Sequence, residues 1–163
     1  MENKDFIKQE DGKARTWLDS NFFPKKRKCI PRLEWTPDQF NPFDAKFTAS
    51  TLEEYLLELK TRHILSTDYS GMTMIEQDKF NTMLEHKGEV ALLILFKDCI
   101  AYFPPSKLFD AFAGIGIGWN CPDEMHPSTT KKWGYRTKAV GYFDVNKAVK
   151  FSYEDYGGKP DFV

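Results

Sequence analysis

Seven consecutive apolar residues, Val90 to Phe96 (VALLILF), constrain this chain more than any other stretch. The run is far short of the roughly 18 to 20 apolar residues that cross a bilayer. It is also too uniform for a strand with one wet face, because successive side chains of a strand point to opposite sides. It predicts a central strand covered on both faces, and with it a layered α/β architecture. Lys97-Asp98 then makes a turn into a further strand over Ile100–Phe103.

Other segments arrange themselves around that strand. Residues 5–20 read as an amphipathic helix with Phe6, Ala14, Trp17 and Leu18 near one face, although Gly12 weakens it by about 1 kcal/mol relative to Ala. Pro24, Pro31 and Pro37 make the next stretch irregular, with a short strand around Ile30–Trp35. Phe43–Thr48 and Glu54–Ile64 read as two strands joined by a short turn, and 68–72 as a loop. A helix is expected from about Met74 to His86. Thr73 with Glu76 three positions on has the spacing of a capping box, Ile75, Phe80, Met83 and Leu84 supply the core stripe, and Gly88 marks the stop. Beyond Pro104 the pattern predicts a short helix over 105–112, a loop over 113–128, and late strands at 135–145 and 148–153. The expectation is one domain over residues 1–163, with a core at about 5–103 and a C-terminal extension over 104–163.

The composition narrows the class. With 41% hydrophobic and 15% aromatic residues in 163, the chain can bury a core unaided. The charged N-terminus MENKDFIKQEDG lacks an apolar signal core, and the three cysteines, Cys29, Cys99 and Cys121, form neither a disulfide framework nor a metal knuckle. A cytoplasmic setting, bacterial or in a phage-infected host cell, and no membrane partner are the expectation. His63, His86 and His126 have no ligand spacing, and GIGIG lacks the pattern of a dinucleotide site. The net charge of −1 does not announce a nucleic-acid binder. The average nevertheless hides two basic clusters, Lys25-Lys26-Arg27-Lys28 and the segment KKWGYRTK over 131–138.

The chemistry lies in FDAKFTASTLEEYLLELKTR, from Phe43 to Arg62. Alternation along the second strand puts Leu56, Glu58 and Lys60 on one face and Tyr55, Leu57 and Leu59 on the other. If the Asp44 strand is the hairpin neighbour, its carboxylate reaches the same point. Two carboxylates can hold Mg²⁺ or Mn²⁺ through oxygen while leaving positions for water and a phosphate oxygen, and a lysine beside them can aid water attack. Acid-x-Lys alone is weak, since the chain has five instances. Only Glu58/Lys60 ends a hydrophobic strand that follows an acid on a preceding strand. The plain alternative is a cross-strand ion pair on an exposed face.

The segments NPFDAKFT, EYLLELKTRHI and MTMIEQDKFNTMLEHKGEVALLILFKDCIAYF together resemble the core of the PD-(D/E)xK nuclease superfamily, which includes restriction endonucleases and Holliday junction resolvases. The likeness is strongest to its small phage and mobile-element members. It covers residues 5–103 and implies an αβββαβ core with a small mixed sheet flanked by helices. It further implies a Mg²⁺- or Mn²⁺-dependent endodeoxyribonuclease acting on DNA, branched DNA included, with Asp44 and Glu58 as metal ligands and Lys60 as the catalytic lysine. The family's Pro-Asp pair is displaced here, as Asp44 follows Phe43. Asp38, in TPDQ, is the competing first acid.

The family's acid on the first helix corresponds to Glu10, which shares the face of Phe6, Ala14 and Trp17; a surface glutamate beside Lys13 is the alternative. Gln77 and Lys79 resemble helix residues that relatives aim at the site or the DNA backbone, with a solvated face as the bland alternative. Arg62 would share the face of Glu58 and Lys60 and contact a phosphate bidentately. Lys25, Lys26, Arg27 and Lys28 read as a DNA-facing loop. Lys131, Lys132, Trp133 and Arg136 combine cations with a stacking surface, or else form a hairpin whose aromatics pack inward. A homodimer suits an enzyme that must cut two strands. The rivals are the same fold retained as a non-catalytic DNA- or protein-binding module, and a structural phage protein with an aromatic assembly surface.

Overall fold

A computed structural model describes residues 11–37, 42–114 and 139–163. The apolar run forms β5, Val90–Leu95, with every residue buried, at the centre of a six-stranded sheet ordered β1-β2-β3-β5-β6-β8. β1 (Arg32–Trp35), β2 (Ala45–Thr48) and β3 (Glu54–Thr61) form an antiparallel meander. β3 then runs parallel to β5, and β6 (Ile100–Phe103) and β8 (Val149–Phe151) return antiparallel. A parallel neighbour requires a crossover. Here the crossover holds the single turn α2 (Asp68–Gly71), the strand β4 (Met72–Glu76) and the helix α3 (Gln77–Glu85). With the helix over residues 11–17 (α1) in front of β1, the order is the expected αβββαβ in an α/β fold with a mixed sheet.

Alternation along the strands divides the apolar side chains between two cores. One contains Leu92, Ile94, Ala101 and Phe103 beneath Ile75, Met83, Leu108 and Phe143. The other contains Leu57, Leu59, Leu93, Leu95 and Ile100 beneath Ala14, Leu18, Phe22 and Tyr153. Full burial of each such leucine or isoleucine contributes about 1.5–3 kcal/mol. α1 continues through a π-helical turn, Leu18–Phe22, and a 3₁₀ turn, Phe23–Lys26, which keep Leu18, Phe22 and Phe23 on the sheet.

The main departure from expectation lies at the start of the crossing helix. Thr73 and Glu76 form no capping box, because both belong to β4. β4 pairs with β7 (Val140–Asp144) in a separate two-stranded sheet, Thr73 opposite Phe143 and Ile75 opposite Gly141. The sequence MTMIE alternates, burying Thr73 and Ile75, and its partner lies more than sixty residues on, beyond the reach of a local pattern. α3 therefore begins at Gln77, whose N–H is satisfied by the Ala139 carbonyl at 2.9 Å. Leu84 faces solvent, so the helix's core contacts come from Phe80 and Met83. Smaller differences are at element ends: β3 stops at Thr61, and the helix expected over 105–112 is α4, Leu108–Ala111.

The turn into β4 is backbone-strained. Tyr69 and Ser70 have φ of 54° and 59°, and Gly71 follows at 76°. Left-handed conformations cost an L-residue roughly 1–2 kcal/mol. A Cβ at Gly71 would also lie 3.1 Å from Asn146 Nδ2, so that position suits glycine twice over.

Candidate functional site

Glu58 sits in the middle of β3, between β2 and β5, and is 4% exposed. Its strand register puts Leu56, Glu58 and Lys60 toward the core that contains α3, while Tyr55, Leu57 and Leu59 face the other core. Asp44 lies in the bend just before β2. Its N–H donates to the Leu57 carbonyl at 3.0 Å. The regular pairing ends at Ala45–Leu57; one residue before it, Asp44 bends to share the Leu57 carbonyl and lies close enough to Glu58 for its charge to act on that carboxyl.

Each carboxylate is held. Asp44 Oδ2 accepts the Leu59 N–H at 2.8 Å, and Oδ1 accepts from Arg15 at 3.1 Å. Arg15, on α1, also donates to the Thr36 carbonyl at 3.1 Å and lies 5.1 Å from the Trp35 ring centroid. Glu58 Oε1 is 3.4 Å from Lys60 Nζ, and Oε2 is 3.4 Å from Lys79 Nζ. Lys79, on α3, donates a shorter bond of 2.6 Å to the Pro42 carbonyl. This one ammonium therefore ties α3 both to β3 and to the bend that carries Asp44.

Burial pushes the Glu58 carboxyl above the ordinary carboxylate range, and the nearby Asp44 charge pushes the same way. Lys60 and Lys79 act against that shift without cancelling it. A buried carboxylate with raised proton affinity, beside a second carboxylate, is an arrangement that a divalent cation would relieve. The donors are hard oxygens, the type Mg²⁺ and Mn²⁺ prefer. Among the described residues no three of His, Cys, Asp and Glu form a group suited to a metal ion. Asp44 and Glu58 are thus a pair, which fits an ion that keeps several waters.

Arg62 follows β3 and turns inward. It donates to the Met74 carbonyl at 3.2 Å, and its buried Nε has no hydrogen-bond partner among the described residues. Burial lowers its pKa, against the pull of Glu76 and then Glu58. The guanidinium is consequently enclosed between β3 and β4, a less open position than the phosphate contact expected for it.

The first basic cluster lies elsewhere. Lys26 Nζ is 4.0 Å from the Phe151 ring centroid and 5.2 Å from that of Tyr156, and Lys25 donates to the Asp155 carbonyl at 2.6 Å. These aromatics belong to the core on the side of the sheet opposite Glu58. Arg27 and Lys28 are exposed, Arg27 reaching the Pro31 carbonyl at 3.4 Å. Glu10, Asp38, Lys131, Lys132, Trp133 and Arg136 lie outside the described residues.

Two residues at the site carried no local signal in the sequence. Arg15 meets Asp44 across 29 positions, and Glu76 looked like part of a helix cap.

No protein-family model and no curated protein matches the chain. Its structure is similar to that of Hjc, a Holliday junction resolvase from the archaeal hyperthermophile Archaeoglobus fulgidus. The TM-score is 0.45 and the identity 11%, covering 94% of this chain and 99% of that one. A likeness of that size carries no argument about activity.

Proposed function

We propose that this chain is a divalent-metal-dependent nuclease that hydrolyses phosphodiester bonds of DNA, branched DNA included. The observation that carries this reading is the neighbouring carboxylate pair Asp44 and Glu58, where the pairing of β2 with β3 ends, with Lys60 on the buried Glu58. Asp44 and Glu58 would hold Mg²⁺ or Mn²⁺. The bound ion supplies neutralisation of charge on the phosphate and a more acidic water. Lys60, its side chain 37% exposed, can turn from Glu58 toward solvent and hydrogen-bond the attacking water or a phosphate oxygen. Its ammonium would stabilise the additional negative charge that develops as water attacks phosphorus and the ester P–O bond breaks. Lys79 keeps the two carboxylates in register through Glu58 and Pro42. A homodimer would bring the two such sites that cutting both strands of a duplex requires, and a cytoplasmic location belongs to the same reading.

The test is cleavage of linear, flapped and four-way DNA with Mg²⁺, compared with Lys60→Ala. The expected loss in the variant is about 10²-fold or more. Full activity in Lys60→Ala would sink the mechanism.

One observation favours a second reading, a non-catalytic DNA- or protein-binding module. Both carboxylates are already engaged by Arg15, Lys60 and Lys79. That reading predicts no Mn²⁺ binding that depends on Asp44 and Glu58. Mn²⁺ binding that vanishes in the Asp44→Ala/Glu58→Ala variant would exclude it.

A further inference from the structure

We propose that Arg15 is a built-in competitor for the metal: it holds Asp44 in the metal-free protein, withdraws when a divalent cation binds, and so sets the metal affinity. This inference rests on the nuclease reading of the Asp44–Glu58 pair. It concerns α1, to which that reading gives no role.

The two oxygens of Asp44 are held by different groups. Oδ2 accepts the buried Leu59 N–H at 2.8 Å and is fixed by the strand. Oδ1 faces α1, and the Arg15 guanidinium lies on it at 3.1 Å. A cation approaching Oδ1 meets a unit positive charge already in contact with the same atom. The two carboxylates are already over-neutralised by their direct partners, Arg15, Lys60 and Lys79. A divalent ion added without release of any of these would set five positive charges against two negative ones.

Lys60 can turn away from Glu58, but that leaves Asp44 Oδ1 covered; at Asp44 the group that has to give way is Arg15. Its hold on Asp44 is a single contact through one terminal nitrogen, and its buried Nε has no hydrogen-bond partner among the described residues. Its other anchors do not involve Asp44. The second terminal nitrogen bonds the Thr36 carbonyl, and the guanidinium lies near the Trp35 ring. A small rotation can therefore keep a carbonyl and a ring while giving up Oδ1. Lys79 differs: its shortest bond, to Pro42, fastens the bend that places Asp44. Losing it would disturb the site that it borders.

The experiment is Mn²⁺ binding to the full chain by calorimetry, for the unsubstituted protein, Arg15→Met, Arg15→Gln and Asp44→Asn. Met retains the aliphatic stem, and Gln retains a donor for Thr36, so loss of fold in one leaves the other. Removing one unit charge about 5 Å from a divalent ion should tighten Kd by roughly tenfold or more in both Arg15 variants. A second readout is thermal unfolding. Saturating Mn²⁺ should raise the Tm of the Arg15 variants more than that of the unsubstituted protein at the same metal concentration. Suppose Mn²⁺ binds the unsubstituted protein and is lost in Asp44→Asn, yet neither Arg15 variant binds more tightly. The competitor role is then overturned while the metal site stands. If neither the unsubstituted protein nor the Arg15 variants bind Mn²⁺, the metal site and the competitor role both fall.

Discussion

Asp44→Ala and Asp44→Asn should differ sharply in stability, because the two oxygens of Asp44 serve different partners. Truncation to alanine leaves the Leu59 N–H without its 2.8 Å acceptor in a residue only 7% exposed. An unsatisfied buried donor costs about 1–3 kcal/mol. It also removes the Arg15 pair, whose side chains are 29% and 24% exposed. That pair is worth no more than about 1 kcal/mol in such a setting. Together the loss is roughly 1–4 kcal/mol. Asparagine retains an oxygen for the Leu59 N–H and gives up only the charge facing Arg15, a loss of about 1 kcal/mol or less. For a chain of this size each kcal/mol moves Tm by about 2–4 °C, so alanine should lower it by roughly 2–16 °C and asparagine by less than about 4 °C. Urea unfolding in chelator, followed by circular dichroism and tryptophan fluorescence, measures both. If asparagine is as damaging as alanine, or if both lie within about 0.5 kcal/mol of the parent, Asp44 does not clamp β3 as described. The result also decides which variant is a fair probe of function. Asp44→Asn tests the metal ligand, whereas Asp44→Ala tests the ligand and the fold together.

Glu58→Gln should abolish Mn²⁺ binding and yet stabilise the metal-free protein at neutral pH. It removes a charge whose burial is unfavourable, while both lysine partners remain partly solvated. The sign follows from the raised folded pKa. The contribution of Glu58 to stability is fully present below its unfolded value, near 4.5, and is lost as pH rises through the folded value. Unfolding in chelator at stepped pH should show that loss in the parent and lack it in Glu58→Gln; the same loss in both would refute it. Lys25→Ala/Lys26→Ala should destabilise by about 1–2 kcal/mol through lost cation–ring contacts. It should leave the salt dependence of DNA binding unchanged. A log–log salt slope shallower by about 2 would instead make both lysines phosphate contacts.

The parts of the fold legible in the sequence are those whose causes are local. VALLILF could only be a doubly covered strand, and the alternation of EYLLELKT set Glu58 and Lys60 on one face before any partner strand was known. Once β2 is paired with β3, Asp44 comes to the end of that pairing beside Glu58, although the bend that turns its N–H to Leu57 has no local signal. The parts that escaped depend on distant partners. MTMIE alternates like a strand, but Thr73 and Glu76 also have the spacing of a helix cap, and nothing nearby reveals β7. Nothing near Arg15 in the sequence marks it, since its acid lies 29 residues on. Lys25 and Lys26 read as a DNA-facing loop because charge is visible in a sequence; the rings of Phe151 and Tyr156 beside them become neighbours only on folding, and the salt slope decides between the two roles.

The pairing of β4 with β7 has a consequence in time as well as in space. The segment between β3 and β5 has a partner strand that emerges from the ribosome only after another 64 residues beyond β4, counted from Glu76 to Val140. α3 likewise takes its first backbone acceptor from Ala139. A nascent chain can assemble the β1–β2–β3 meander early, but Lys79 gains its final position only once the later strand has docked. Contacts of such long sequence separation are slow to form. During synthesis, the carboxylates of Asp44 and Glu58 would be the first parts of the site to be made and among the last to be enclosed.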